Sequence, residues 1–206
     1  MKPRLAALLV PVLLALAGCT ATTGGEGPAA GPTRAARPSP FADCATLTTT
    51  PGSTPAPTGS ATADTGSPLP ELVLACFTGG APVALRDIHG PAVINVWASW
   101  CPPCRKELPA FQRLSVRAAG QLQVIGVNSR DSRDGAQAVG EDFGIRFPVL
   151  FDQGEALQRE LRRTAVPLTL LVDAQGRIRH TDTSGALDDA RLADLVRRHL
   201  GLVVPA

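Results

Sequence analysis

From Pro68 onward the chain alternates apolar runs with turn signals, and the period of each run predicts its element. Leu72 to Phe77 and Val83 to Leu85 flank Gly79-Gly80, which predicts a hairpin with a loop longer than two residues. Ala92 to Trp97 is almost continuously apolar, as a strand buried on both faces must be. Pro102 then suits the first position of a helix, and Leu108, Phe111, Leu114 and Ala118 recur at three- and four-residue spacing. Gly120 is available to close that helix, and Pro109 should kink it. The alternation continues with strands over 122–127, 148–151, 168–172 and 177–181. Helices are predicted over 134–143, 155–162 and 188–200. The last helix has Asp188 and Asp189 at its start, Arg197, Arg198 and His199 at its end, and Gly201 beyond, in accord with the helix dipole and capping rules. This succession implies an α/β sandwich over residues 68–206.

The chain ahead of Pro68 is of a different kind. Residues 5–16 form a twelve-residue apolar stretch behind Lys2 and Arg4, the length of an export signal and short of the roughly 20 residues that a spanning helix needs. It ends in Leu16-Ala17-Gly18-Cys19, which resembles a bacterial lipobox. Residues 1–18 are therefore expected to be a lipoprotein signal peptide and Cys19 the lipidated, membrane-anchoring residue. Residues 19–67 follow as a low-complexity tether: from Thr20 to Ser67, 40 of 48 residues are Gly, Pro, Ser, Thr or Ala.

Charge and cysteine usage narrow the function. The excess of two basic residues, 20 against 18, is accounted for by Lys2 and Arg4, so the chain after the leader is neutral and offers no overall basic footprint for nucleic acid. Five cysteines in an exported chain, with Cys101 and Cys104 as one close pair and Cys44 and Cys76 as one distant pair, point to redox chemistry outside the cytosol. Trp100-Cys101-Pro102-Pro103-Cys104 lies between the buried strand and the helix. That position sets Cys101 at a helix N-terminus with its side chain near the surface, where partial positive charge favours a thiolate nucleophile. Cys104, one turn inward, can attack a mixed disulfide at Cys101 and release the substrate.

Alternatives to this chemistry lack their residues. Half of a zinc site would need a second close Cys or His pair, and His89, His180 and His199 are isolated, so no metal is expected. A thiol peroxidase signature would place Pro at 94 and Thr or Ser at 98, where Ile94 and Ala98 stand. Prolines at both central positions remove two N–H donors from the vicinity of the thiolate. This favours the disulfide over the dithiol and so a reductase over an oxidant.

The segment Val96-Trp97-Ala98-Ser99-Trp100-Cys101-Pro102-Pro103-Cys104-Arg105-Lys106-Glu107-Leu108-Pro109 resembles the active-site segment of the thioredoxin-like TlpA and ResA proteins. So do Phe147 to Asp152 and Val166 to Asp173 with Gly176, and the resemblance covers roughly Pro68 to Leu202. It implies a thioredoxin-like sandwich with a central mixed β-sheet flanked by helices and an N-terminal β-hairpin extension. It also implies that Pro167 is cis and faces the two cysteines, and that the Val166 backbone pairs with substrate. Read without the resemblance, Pro167 is a strand-entry proline. Glu107 matches an acidic residue tied to the reductive chemistry of ResA-like members; as a bare feature it reads equally as a solvated helix residue pairing with an Arg. Asn95 stands where cytosolic thioredoxins have a buried Asp. Trp97 and Trp100 read as packing residues rather than chemical ones, while Trp100, Pro102, Pro103 and Val166 would form the surface that a substrate meets.

Cys44 and Cys76 read as a structural disulfide, with a second redox couple as the alternative; related actinobacterial members carry a similar pair. The resemblance implies a membrane-tethered oxidoreductase on the outer face of the cell membrane, reducing protein disulfides such as those of apocytochrome c. Its electrons would come from an integral-membrane donor of the CcdA or DsbD kind, and it would use no cofactor. A disulfide-forming oxidase and a non-catalytic metal- or partner-binding lipoprotein are the other two readings. Arg outnumbers Lys 18 to 2, which associates the chain with a GC-rich actinobacterium.

Overall fold

The structure is a computed structural model and describes residues 37–48 and 66–204. The expected signal peptide, Cys19 and most of the tether lie outside the described residues. The unit that begins at Pro38 carries β1 (Ser67–Pro68), β2 (Val73–Cys76), β3 (Val83–Ala84), β4 (Ala92–Trp97), α1 (Pro102–Arg117), β5 (Gln123–Ser129), α2 (Arg133–Asp142), β6 (Val149–Asp152), α3 (Ala156–Glu160), β7 (Leu168–Val172), β8 (Arg177–Asp182) and α4 (Asp189–Leu200). The eight strands form one mixed sheet in the order β1-β8-β7-β4-β5-β6-β2-β3. Its centre is β4, parallel to β5 and antiparallel to β7, with Ile94 opposite Ile125 on one side and Leu170 on the other.

Every residue of β4 is buried, because helices cover both faces of the sheet. Strand alternation divides its side chains. Val93 and Trp97 join Leu108, Phe111 and Leu114 of α1, Ala136 and Val139 of α2, and Leu192 and Val196 of α4 in one cluster. Ile94 and Val96 join Leu157 of α3, Leu85, Cys44 and Leu47 in the other. Asn95, between Val93 and Trp97 in the alternation, is fully buried on the α1 side.

The element ends follow local chemistry. α4 starts at Asp188, whose side chain accepts from the Arg191 amide, and ends at Gly201, left-handed at φ 70°. α1 runs uninterrupted through Pro109 but stops at Arg117, short of the expected Gly120. Asp189 at the head of α4 accepts from Arg113 at 2.6 Å and from Arg117, which docks α4 against α1; the Arg113 hydrogen bond, with Arg117, holds the Asp189 carboxyl at about 2.

One stretch expected to be tether is part of the core. Phe41, Cys44 and Leu47 are buried at 5%, 1% and 1% exposure. Their spacing of three matches the period of a 3-10 helix, which Cys44–Leu47 forms with Asp43 as its cap. Phe41 packs edge-on against Phe77, with ring centroids 4.8 Å apart, and against Trp97 at 6.3 Å. It also lies over Gly140, where a Cβ would meet its ring at 2.6 Å. A composition count dominated by Ala, Pro and Thr hides three buried apolar residues, Phe41 in the cluster on the α1 side and Cys44 and Leu47 in the opposite one. A disulfide joins Cys44 of this strap to Cys76 in β2. No helix among the described residues is long and apolar enough to cross a membrane.

Replacing Cys44 and Cys76 together by Ser opens a loop of sequence separation 32. Stability should fall by about 3–4 kcal/mol in the chain-entropy account. The check is urea unfolding with the Cys101–Cys104 disulfide kept oxidised in both proteins.

Candidate active site

The buried strand β4 delivers the chain to the surface at its C-terminal end, and Ala98-Ser99-Trp100 turns it into α1. The Cys101 amide donates to the Ala98 carbonyl at 3.2 Å. Cys101 is the N-cap residue of α1, extended at φ −94° and ψ 105°, with the two prolines occupying the first helical positions. In the oxidised couple described here Cys101 and Cys104 are disulfide-bonded with Cα atoms 5.3 Å apart. The Cys104 amide donates to Cys101 Sγ at 3.2 Å. The prolines thus remove two donors but leave one aimed at this sulfur. Cys101 is less open than the sequence implied, at 3% exposure, and Cys104 is fully buried. Pro102 and Pro103 are exposed, and Trp100 is 56% exposed.

Glu107 lies one turn beyond Cys104 on the same helix. It is fully buried, so the reading of it as a solvated residue pairing with an Arg is overturned. Its carboxylate accepts from Asn95 Nδ2 at 2.6 Å and from the Leu187 amide at 3.0 Å. Burial pushes its pKa up from 4.5 to about 7; the two hydrogen bonds oppose this and the charge of Asp182 adds to it. Neither Asn95 nor Leu187, 80 positions away, could be matched to Glu107 from spacing along the chain. The Oδ1 atom of Asn95 is buried without a partner.

On the other side of the couple, the Val166–Pro167 bond is cis. Val166 packs on the cluster that contains Cys101 and Cys104 and shares with Trp100 a surface cleft of about 250 Å³. The structure therefore brings together Cys101, Cys104, Glu107, Trp100 and Val166, and keeps the Cys44–Cys76 disulfide in the opposite cluster, against β6.

A support that the sequence did not announce is Asp131, at 8% exposure. Its carboxylate accepts from the Ser99 amide at 2.5 Å, the Ser99 hydroxyl at 2.7 Å, Asn128 Nδ2 at 2.8 Å and the Ser132 amide at 2.8 Å. Trp100 Nε1 donates to the Arg130 carbonyl at 2.8 Å beside it. The loop that carries Cys101 is thus held to the β5–α2 loop. In the sequence Asp131 is indistinguishable from an ordinary residue ahead of the Ser132 helix cap.

Comparison with known proteins agrees with this geometry. Residues 65–181 match the AhpC/TSA family. The sporulation thiol-disulfide oxidoreductase A of Bacillus subtilis is 30% identical over 129 residues, covering 60% of this chain and 78% of that protein. The thiol-disulfide oxidoreductase ResA of the same organism is 28% identical over 143 residues, covering 68% and 76%. Among solved structures, a secreted thiol-disulfide isomerase from Corynebacterium glutamicum superposes with a TM-score of 0.55 at 27% identity, over 65% of this chain and 83% of that one. The order of strands and helices, the paired sulfurs at the head of α1 and these relatives converge: the chain belongs to the AhpC/TSA family, as a thioredoxin-fold thiol-disulfide oxidoreductase.

Proposed function

We propose that this protein is an extracytoplasmic reductase of protein disulfides, tethered to the outer face of the membrane through a lipidated Cys19, with residues 68–206 as its working domain. The carrying observation is the placement of Cys101 at the N-cap of α1, bonded to a fully buried Cys104, with a buried carboxyl of raised pKa one turn further on. A disulfide between Cys44 and Cys76 suits an oxidising compartment, and the Corynebacterium relative is a secreted protein. Cysteines of apocytochrome c are the proposed substrate, with an integral-membrane donor of the CcdA or DsbD kind restoring the dithiol.

In the reduced protein the Cys101 thiolate attacks one sulfur of the substrate disulfide, forming a mixed disulfide and expelling one substrate thiolate. Glu107 takes the proton of the Cys104 thiol. The Cys104 thiolate then attacks Cys101 Sγ, which forms the Cys101–Cys104 bond and expels the second substrate thiolate. Two electrons pass from the couple to the substrate and no cofactor is needed. Pro167 and the Val166 backbone position the substrate strand, and Trp100, Pro102 and Pro103 form the surface around the sulfur.

Cys104→Ser should trap substrates as mixed disulfides with Cys101, seen on non-reducing gels, and Cys101→Ser should trap none. The potential of the couple, measured against glutathione, should lie well below the DsbA value of about −120 mV. A value near it would select the disulfide-forming reading.

Glu107 gives two pH predictions. Its carboxylate is the proton acceptor, so resolution of the mixed disulfide should accelerate as pH rises through about 7. Glu107→Gln should slow that step by on the order of 10²-fold and flatten the profile. For stability, a folded pKa raised from 4.5 to about 7 means the folded state holds this proton more tightly than the unfolded one. The associated stability is complete below pH 4.5 and lost as pH rises through about 7, roughly 3 kcal/mol in all. Urea unfolding at pH 5 and pH 8 should show that loss in the native protein and not in Glu107→Gln.

A further inference from the structure

A second buried carboxylate lies two strands from Glu107 and is not used by the exchange steps. Asp182, the last residue of β8, is 6% exposed. It stands opposite Thr169 of β7, and Thr169 stands opposite Asn95 of β4. Residues directly opposite in antiparallel strands share a face of the sheet. Asn95, Thr169 and Asp182 therefore form one buried polar row on the α1 side. Glu107 sits at the Asn95 end of that row, held by Asn95 Nδ2 at 2.6 Å. Strands about 4.8 Å apart place the Cα atoms of Asn95 and Asp182 about 10 Å apart. In a core of low dielectric that is close enough for two charges to feel one another.

Asp182 also shapes the turn by which the chain leaves β8 for α4. Its Oδ1 accepts from the Ser184 amide at 2.9 Å and from the Ser184 hydroxyl at 2.6 Å. Three residues further on, the Leu187 amide donates to Glu107 Oε2 at 3.0 Å. Asp182 Oδ2 faces His180 of β8 and Arg191 of α4, each at 3.8 Å. Arg191 also reaches Asp194 at 3.7 Å, and His180 stacks on His199 of α4 with ring centroids 4.0 Å apart. Burial opposes charge on Asp182, but the Ser184 hydrogen bonds, Arg191 and His180 outweigh it and hold the carboxyl below its ordinary range. Asp182 is thus ionised throughout the range in which Glu107 titrates. The surroundings push the two buried carboxyls apart: one keeps its proton up to about 7, and the other carries a standing charge.

We propose that Asp182 is the positioning residue for Glu107: its carboxylate holds the turn that presents the Leu187 amide, and its standing charge makes Glu107 the stronger base for the Cys104 proton. The proposal rests on the reading of Glu107 as the acceptor of that proton. Its two parts act in opposite directions. A like charge in the row disfavours ionised Glu107, whereas the Leu187 hydrogen bond favours it. Asp182 lifts the proton affinity through its charge and, through Ser184, secures the donor that limits the rise. The proton itself passes from the Cys104 thiol to Glu107 and goes no further.

The test is an NMR titration of the isotope-labelled Glu107 carboxyl in the full chain with the Cys101–Cys104 disulfide intact, which reads proton affinity without turnover. The native midpoint should lie at about 7. Asp182→Asn keeps an acceptor for Ser184 and removes the charge, so the midpoint should fall by about half a pH unit. Ser184→Ala, at an exposed position, keeps the charge and loosens the turn, so the midpoint should rise. The pH at which resolution of the mixed disulfide accelerates should move the same way in each variant, and neither substitution should change that rate in Glu107→Gln. A midpoint that Asp182→Asn leaves in place or raises overturns the proposal, as does one that Ser184→Ala leaves in place or lowers; resolution that still follows Glu107 then leaves the proton-acceptor reading standing. If Asp182→Asn does not fold, Ser184→Ala decides alone. Midpoints that move as expected while resolution ignores them overturn the proton-acceptor reading, and the proposal with it.

Discussion

Burial of β4 on both faces is the constraint from which the site follows. A strand with no exposed residue must end before the chain can reach water, and the turn after Trp97 leads from the centre of the sheet into α1. The sulfur at that junction sits at the positive end of a sixteen-residue helix. The same double burial makes polar atoms under α1 costly unless they are paired. Asn95 and Glu107 pair with each other, and the Leu187 amide supplies the remaining donor from the loop before α4. The carboxyl is therefore kept in a dry place by the packing that builds the core, and its affinity for a proton is a by-product of that packing.

The loop between β4 and α1 is short and would be free to move if only its ends were fixed. Asp131 prevents this with four accepted hydrogen bonds, two of them from Ser99. Trp100 adds a third link between the two loops through Arg130. The reactive sulfur is thus located by contacts from β5 as well as by its own helix, in the way an outer shell of partners fixes a catalytic group.

Much of this was legible in the sequence, and the rest was hidden for definite reasons. The apolar run at 92–97 and the strand at 168–172 have the bounds their patterns predict, and α4 has the ends its caps predict. Strong periodicity and capping chemistry are local, so they can be read locally. β1 was missed because two residues, Ser67 and Pro68, are too short to carry a period. The Phe41 strap was hidden by its composition, although its spacing of three was present. The environment of Glu107 depends on residues 12 and 80 positions away, and nothing in a linear pattern joins them. The Cys-Pro-Pro-Cys couple was legible because reactive groups three apart on a helix need no tertiary information to meet.

The positions of the two sulfurs, one before the helix and one inside its first turn, order events in time. Cys104 is buried within the first turn of α1, while Cys101 precedes that turn beside the exposed Trp100 and Pro102, so an external thiol or disulfide that exchanges with the couple does so through Cys101. Two partners that exchange with the couple then need the same patch of surface and cannot be bound together. Such a protein works as a shuttle: it takes two electrons from one partner, lets go, and hands them to the next. The affinity of each encounter has to stay low enough for the other partner to have its turn.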